Sequence, residues 1–190
     1  MSLTNTRETY GWLTIGLHWI AAFGVIAMFA TGVQAYMAGE AGDRAARGAA
    51  MGLHIALGAT LFAFFAARIA LHFAQPQPDK PAQAGWLNAF AAWTQRLLLL
   101  ALLIQIVSGP LAVWSGGRAI NIFDLISLPS PFSQRNESVH EAAEIAHAIG
   151  RLLILVLLPL HVLGALKHLV LNRDGVFTRM LWPSRLKKAG

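Results

Sequence analysis

The sequence predicts an all-α integral membrane protein, a four-helix bundle with both termini in the cytoplasm. Hydrophobic residues make up 56% of the 190-residue chain and charged residues only 13%, whereas about a quarter of a typical soluble domain is charged. Four long stretches are almost free of Asp, Glu, Lys and Arg, and each can cross about 30 Å of hydrocarbon, which takes roughly 20 helical residues. A soluble bundle would need polar outer faces at helical period, and these stretches are apolar nearly all round.

The four spans follow one another in a single predicted domain, residues 1–190, without an internal repeat. The first span is too long, and begins too far into the chain, for a removable signal peptide. Prolines and a glycine in "QPQPDKPAQAG" separate the second span from the third, because they cannot continue a helix. We expect the apolar connection before the fourth span to lie in the outer membrane interface or to cover something there. The predicted spans are residues 13–37, 51–73, 91–115 and 142–171.

Basic residues are distributed unevenly over the two predicted sides of the membrane. If both tails and the connection between the second and third spans share one side, that side carries ten Lys and Arg residues and the other side five. The positive-inside rule then places both termini in the cytoplasm. We predict that the basic tail "RLKK", residues 185–188, lies on lipid headgroups, since no basic, aromatic-rich module that would bind nucleic acid accompanies it.

The sequence contains no cysteine. This excludes disulfides, thiolate metal sites, iron–sulfur clusters and the C-x-x-C-H attachment of c-type haem. Any metal bound by this chain is therefore predicted to be held by histidine. Seven histidines are present, and an ionisable side chain inside a membrane span is costly enough to indicate a function.

Four of the histidines fall at two depths in the predicted bundle. Helix direction places His54 and His147 near the outer ends of the second and fourth spans, and His18 and His161 near the inner ends of the first and fourth. His147 and His161 are separated by about 21 Å along the helix, with a net rotation of only about 40°. Each depth therefore has two imidazoles, from two different helices, that can face each other across the bundle.

Two opposed imidazoles at membrane depth favour an iron porphyrin, because the ring nitrogens supply both axial ligands and apolar side chains cover the macrocycle. Haem b is the form that needs no cysteine. We therefore predict two haems b, the outer ligated by His54 and His147 and the inner by His18 and His161. Structural zinc is disfavoured, since it usually takes four ligands at one point. His140, on the same helix face as His147, is a rival outer ligand.

Four further residues are candidates for contact with the haems. Arg68 lies at the inner depth and Arg151 one turn from His147, where a guanidinium can pair with haem propionates. Arg68 can equally be a snorkelling, positive-inside residue. Gly58 and Gly32 can leave room for a flat ring or serve ordinary small-residue helix packing.

Several motifs resemble the bacterial cytochrome b561 family, four-span di-haem membrane cytochromes that include superoxide oxidase and, more distantly, the b-type subunits of nickel–iron hydrogenases. They are "GLHW" at 16–19, "LHIALG" followed by "AAR", "HAIGRLLILVLLPLHVLGALKH", and "RDGVFTRMLWP" near the carboxyl end. The resemblance implies the same four axial ligands and a multi-pass protein of the bacterial inner membrane. The family often has a His-Glu pair at the first ligand of the fourth helix, and here His-Glu stands at 140 and 141.

Similarity to superoxide oxidase implies an oxidoreductase in which periplasmic superoxide gives electrons to the outer haem and ubiquinone takes them on the inner side. His168 and Lys167 are candidates for quinone or proton contact, or are simply interfacial cations. One alternative is the cytochrome b subunit of a larger, hydrogenase-like oxidoreductase, which relays electrons from a docked periplasmic partner to quinone. Another is a haem-free membrane protein, such as a small transporter, whose histidines bind protons or neighbouring helices.

Overall fold

The computed structural model describes residues 2–186. Four long helices dominate this part of the chain, and each is long and apolar enough to cross a membrane. They are α1 (Trp12–Glu40), α2 (Arg44–Ala74), α3 (Gly85–Ser115) and α4 (Glu137–Lys167). A π-helical turn, His168–Asn172, extends α4, and a 3-10 turn, Thr178–Met180, follows it. The chain is therefore an all-α membrane protein with four potential spans, as predicted. Lys187 and Lys188 of the basic tail lie outside the described residues.

The helices extend beyond the predicted apolar spans because polar residues continue or cap them. In α2 the helix begins at Arg44, where Asp43 Oδ1 accepts a hydrogen bond of 2.9 Å from the N–H of Ala46. Asn136 Oδ1 accepts one of 3.2 Å from the N–H of Val139 at the start of α4. Such side chains satisfy N–H groups that the first helical turn leaves unpaired. In α2 and α4, apolarity therefore marks the membrane-spanning part of the helix, whereas these side-chain caps mark its amino-terminal end.

The connection between α3 and α4 contains a short antiparallel hairpin. Its strands are β1 (Ile120–Ile122) and β2 (Ile126–Leu128), with Ile120 opposite Leu128 and Ile122 opposite Ile126. Phe123 and Asp124 in the turn both have positive φ, 48° and 56°. We predicted an interfacial or covering segment here but assigned no strands to it, since three-residue strands are too short to produce a clear alternation.

The described chain divides into two compact units, each built from parts of all four helices. The first unit comprises the described parts of residues 1–19, 66–103 and 150–190, and it includes both terminal segments and the α2–α3 connection. The second unit comprises residues 20–65 and 104–149, with the α1–α2 connection and the hairpin. His18 and His161 belong to the first unit, whereas His54 and His147 belong to the second.

Within the second unit α1 and α2 pack closely at Gly24. A Cβ atom at this position would lie 3.0 Å from both Leu61 Cδ1 and Phe65 Cζ. Phe65 is buried, so a larger residue in place of Gly24 would have to displace an aromatic ring. Small residues at such crossings let helix backbones approach within a membrane.

Candidate functional site: two histidine pairs

His54 of α2 and His147 of α4 face each other in the second unit. Their ring centroids are 6.3 Å apart and the ring planes are inclined by 76°. Two metal–imidazole bonds of about 2 Å, with about 1 Å from each nitrogen to its ring centre, would place two ligating rings about 6 Å apart. The separation therefore fits two imidazoles that bind one metal atom from opposite sides.

A hydroxyl, a carbonyl and a glycine surround the imidazole of His54. Its Nδ1 lies 3.0 Å from the carbonyl oxygen of Met28 and 3.1 Å from Thr31 Oγ1. A carbonyl can only accept, so Nδ1 carries the hydrogen and Nε2 keeps its lone pair free for a metal. A Cβ atom added to Gly32 would lie 3.5 Å from Cε1 of the same ring. Thus α1 orients the histidine of α2.

The imidazole of His147 has an equivalent environment on α3. Ser108 Oγ lies 3.1 Å from its Nδ1, and the same hydroxyl donates to the carbonyl of Ile104 at 2.6 Å. Since the hydroxyl hydrogen is used on Ile104, its oxygen accepts from Nδ1–H, which again leaves Nε2 unprotonated. A Cβ atom at Gly109 would lie 3.5 Å from Cε1 of His147. Both histidines of this pair are thus held in the tautomer in which Nε2 is unprotonated and able to bind a metal.

His18 of α1 and His161 of α4 form a second pair, in the first unit. Their ring centroids are 6.1 Å apart and the planes are inclined by 63°, which again fits two imidazoles on one metal atom. Trp19 packs edge-on against His18 with centroids 5.5 Å apart. The indole N–H of Trp19 donates to the carbonyl of Met180. The carboxyl-terminal segment is therefore tied to the residue that adjoins His18.

The donor set fits haem rather than a zinc centre. In the described residues 2–186 no group of three or more His, Cys, Asp and Glu side chains is placed to hold one metal ion, whereas a structural zinc takes four ligands. Two opposed imidazoles with their Nδ1 atoms hydrogen-bonded match the axial positions of a haem iron. The structure thus pairs the four histidines that the sequence predicted as ligands.

Arg68 is half-buried in the first unit. Its guanidinium lies within electrostatic range of His18, His161 and Tyr10. None of the ion pairs of residues 2–186 includes it, so its guanidinium has no carboxylate partner in the described chain. A half-buried cation without a carboxylate partner, within electrostatic range of two candidate ligands, suits a carboxylate of the cofactor.

The other residues predicted to contact the haems differ in their surroundings. Arg151 is exposed on α4 and joins none of those ion pairs. Gly32 lies beside the ring of His54, as described above. A Cβ atom at Gly58 would lie 3.1 Å from Met28 Cε, so Gly58 makes room for a methionine of α1.

His140 has surroundings similar to those of His54 and His147, and lies two turns from His147 on the same helix. Its Nδ1 lies 2.9 Å from the carbonyl oxygen of Ala112 and 3.5 Å from Ser115 Oγ, and a Cβ atom at Gly116 would lie 3.4 Å from its Cε1. Its Nε2 lies 3.4 Å from Glu144 Oε1. The structure therefore brings His147 to His54, whereas His140 contacts a carboxylate on its own helix.

His168, predicted as a quinone or proton contact, is buried in the π-helical turn after α4. Its Nδ1 lies 2.6 Å from Asp174 Oδ2 and 3.2 Å from Asn172 Nδ2. Burial raises the pKa of Asp174, but hydrogen bonds from the Val176 N–H and from His168 outweigh it, so the net pKa is below its ordinary value. Lys167 is half-exposed.

A polar cluster at the carboxyl-terminal segment was missed by the sequence reasoning, which counted Arg179 among the cytoplasmic basic residues and within the motif "RDGVFTRMLWP" but gave it no role. Arg179 is 3% exposed and donates hydrogen bonds of 2.9 Å to the carbonyl of Asp79 and 3.1 Å to that of Glu8. Its guanidinium lies 5.3 Å from the ring centre of Tyr10. Burial raises the pKa of Tyr10, opposed by the charges of Arg179 and Arg68. No local pattern indicates contacts between residues this far apart in the chain.

Comparison with known proteins identifies the family. A family model described as prokaryotic cytochrome b561 matches residues 9–183. A similar curated protein is cytochrome b561 homolog 2 of Escherichia coli strain K12, 29% identical over 185 residues that cover 97% of each chain. With four membrane-spanning helices, the chain is a multi-pass protein of the bacterial inner membrane. This chain therefore belongs to the prokaryotic cytochrome b561 family, whose members are haem b-binding membrane proteins of electron transfer.

Proposed function

We propose that the protein is a di-haem b electron carrier that takes electrons from superoxide at the periplasmic side and delivers them to ubiquinone at the cytoplasmic side. The observation that carries the di-haem assignment is the spacing of the two histidine pairs, 6.1 and 6.3 Å between ring centroids. In this proposal residues 1–190 form one domain with two cofactor sites.

The haems, when bound, supply one-electron redox chemistry. His54 and His147 would hold one, and His18 and His161 the other. Hydrogen bonds from Nδ1 to the Met28 carbonyl and to the Ser108 hydroxyl keep the imidazoles oriented and make Nε2 more basic. Arg68 and Arg151 are our candidates for the propionates, and Gly32 and Gly58 for clearance around the rings.

The distribution of Lys and Arg residues assigns the two histidine pairs to the two sides of the membrane. With both termini in the cytoplasm, the His18–His161 pair belongs to the cytoplasmic half, and the His54–His147 pair to the periplasmic half. Buried Arg179 and half-buried Arg68 add positive charge to the cytoplasmic half. This topology supports electron entry at the His54–His147 pair and exit near the His18–His161 pair.

Superoxide as donor is supported by the resemblance to superoxide oxidase and by local positive charge. Arg44, Arg47 and Arg118 are exposed on the proposed periplasmic side and join no ion pair in residues 2–186. Arg135, in contrast, is neutralised by both carboxylate oxygens of Glu137. Exposed cations of this kind attract an anionic donor over about a Debye length.

The reaction balances with two superoxide anions for each quinone. Each superoxide loses one electron and becomes dioxygen, and ubiquinone gains two electrons and two protons to become ubiquinol. His168, hydrogen-bonded to Asp174, and Lys167 are candidates to contact the quinone or to pass it a proton.

A second candidate is the cytochrome b subunit of a larger oxidoreductase, with a docked periplasmic protein as electron donor. Glu141 and Glu144 are exposed on the first turns of α4, where they would repel an anion and suit a basic protein surface. The two candidates share the haems and the quinone and differ only in the donor.

The test is an anaerobic visible spectrum of the purified protein with pyridine haemochrome quantification, followed by superoxide with and without a ubiquinone analogue. About two haems b per chain, reduced by superoxide and reoxidised by the quinone, would support the proposal. Two haems that superoxide leaves oxidised, but that a reduced periplasmic protein reduces, would support the docked-partner candidate. One haem or none per chain would contradict the assignment of two ligating pairs.

A further inference from the structure

The hairpin between α3 and α4 has one apolar and one polar face. Residues directly opposite each other in an antiparallel pair lie on the same face, and successive residues alternate. The pairs Ile120–Leu128 and Ile122–Ile126 therefore share one face, and Asn121 and Ser127 the other. Ser127 Oγ donates a 2.8 Å hydrogen bond to Asn121 Oδ1. The ribbon is thus amphipathic across its whole length.

The turn-proximal and β2 part of this apolar face is exposed in the described chain. Ile120 is buried and Ile122 half-buried, whereas Ile126 is 55% exposed and Leu128 39% exposed. The turn adds Phe123, 49% exposed, and Leu125, 85% exposed. An isolated two-stranded hairpin with this much exposed apolar surface is marginally stable in water, and such a patch marks an interaction site.

Hydrogen bonds hold the hairpin at the end of a membrane span. The indole N–H of Trp114, in the last turn of α3, donates to the carbonyl of Leu128 at 3.4 Å. Ser130 Oγ donates to the carbonyl of Trp114 at 2.8 Å. Tryptophan at a span end is typical of the level of the lipid headgroups, so the hairpin lies at the depth where the apolar surface of α3 meets water.

We propose that this hairpin is a membrane-interface anchor. Phe123, Leu125 and the exposed isoleucine and leucine of β2 insert among the headgroups and the upper acyl chains, while the Asn121–Ser127 face remains in water. Asp124 is the hairpin's charged residue and stands at the turn, and the cost of a carboxylate in hydrocarbon limits insertion to the interface. The partner is a lipid surface, because the hairpin is hydrogen-bonded to Trp114, which stands at the end of a helix that spans the membrane.

The absence of cysteine from the sequence permits a clean test on the haem-loaded protein. Leu125→Cys and Ser127→Cys each introduce one thiol, on the tip and on the polar face, for a nitroxide spin label. The proteins are placed in vesicles of phosphatidylethanolamine and phosphatidylglycerol, and collisions of the label with dioxygen and with a water-soluble nickel chelate are measured. An unchanged haem spectrum controls for folding.

If the hairpin is a membrane-interface anchor, the ratio of dioxygen to nickel collisions should be several-fold higher at position 125 than at position 127. Equal nickel accessibility at both positions would overturn it, because the hairpin would then project into water. A label at position 125 that is immobile and protected from both reagents would also overturn it, because the tip would then pack on protein, whether on this chain or on a second copy.

Discussion

The hydroxyl of Ser108 lies 3.1 Å from Nδ1 of His147 and donates its own hydrogen to the carbonyl of Ile104. A serine of α3 thereby fixes both the orientation and the protonation of an imidazole on α4. Ser115 also donates to its own helix and lies beside His140, at 3.5 Å from its Nδ1, but that Nδ1 is closer to the carbonyl oxygen of Ala112, at 2.9 Å. The two serines form a matched pair, one beside a proposed ligand and one beside a histidine that contacts Glu144.

Ser108→Ala is expected to weaken haem retention at the His54–His147 site by roughly tenfold, because outer partners of ligating histidines typically contribute 10 to 100-fold in metal affinity. The midpoint potential of that haem should also rise, since a less basic imidazole stabilises the oxidised iron less. Haem content after dilution and a redox titration measure both effects.

Ser115→Ala is the control for this substitution. It removes the same hydroxyl from the same helix, one heptad away, and should leave haem content and both potentials unchanged. If Ser115→Ala weakens haem retention as much as Ser108→Ala, the proposed distinction between His147 and His140 is wrong.

The choice of ligand can be tested directly with phenylalanine substitutions. His147→Phe should leave about one haem per chain, because His54 would have lost its opposed imidazole. His140→Phe should retain both haems, since its Nε2 faces Glu144 rather than another imidazole. The measurement is pyridine haemochrome content per chain. Loss of a haem from His140→Phe with retention in His147→Phe would reverse the assignment.

Arg68→Gln is expected to lower the midpoint potential of the haem at the His18–His161 site. A positive charge near a haem favours the reduced form, which carries one electron more, and Arg68 acts on both histidines. The expected shift is on the order of 60 mV, a tenfold change for one electron. Arg68→Lys, which keeps the charge, should recover most of it. Equal midpoint potentials for the wild type and both variants would show that Arg68 does not act on this haem.

Hydropathy was sufficient to predict the four helices, and helix depth predicted the pairs of histidines that meet, although it left His140 open as a rival to His147. Both inferences use regular helix geometry, which needs no knowledge of side-chain packing. The hydrogen-bond partners of His54 and His147 could not be predicted this way. Thr31 and Ser108 are hydroxyl residues inside spans, and such residues commonly hydrogen-bond their own helix backbone, as both also do here.

The contacts of the terminal segments were beyond sequence reasoning for another reason. Arg179 binds the carbonyls of Glu8 and Asp79, and irregular segments have no period from which such pairing could be inferred. The position of His168 illustrates the same limit. Its burial depends on a π-helical turn and on the left-handed backbone of Arg173, with φ of 51°, which return the chain to bring Asp174 beside it.

Replacing Arg179 should destabilise the protein more than its place near the carboxyl end suggests. Arg179→Ala would remove a buried guanidinium and its hydrogen bonds to the carbonyls of Glu8 and Asp79, and hydrogen bonds to a charged group typically contribute about 1.5 to 3 kcal/mol each. A lower thermal unfolding midpoint in detergent, followed by haem absorbance, measures the loss. Arg185→Ala is the control, because its ion pair with Glu8 is exposed and should contribute little. Equal midpoints for the two variants would contradict the structural role of Arg179.

The Asp174–His168 contact predicts how stability changes in acid. The folded pKa of Asp174 lies below its ordinary value of 3.8, so the unfolded chain binds more protons than the folded chain as the pH approaches that value. The contribution of this carboxylate is therefore fully present above its unfolded pKa and is lost as the pH falls through the folded pKa. The unfolding midpoint of the wild type should fall more steeply between about pH 5 and pH 3 than that of Asp174→Asn. Since Asp174 is only partly buried the difference should be small, and parallel curves for the two proteins would show that the carboxylate is not stabilised by this contact.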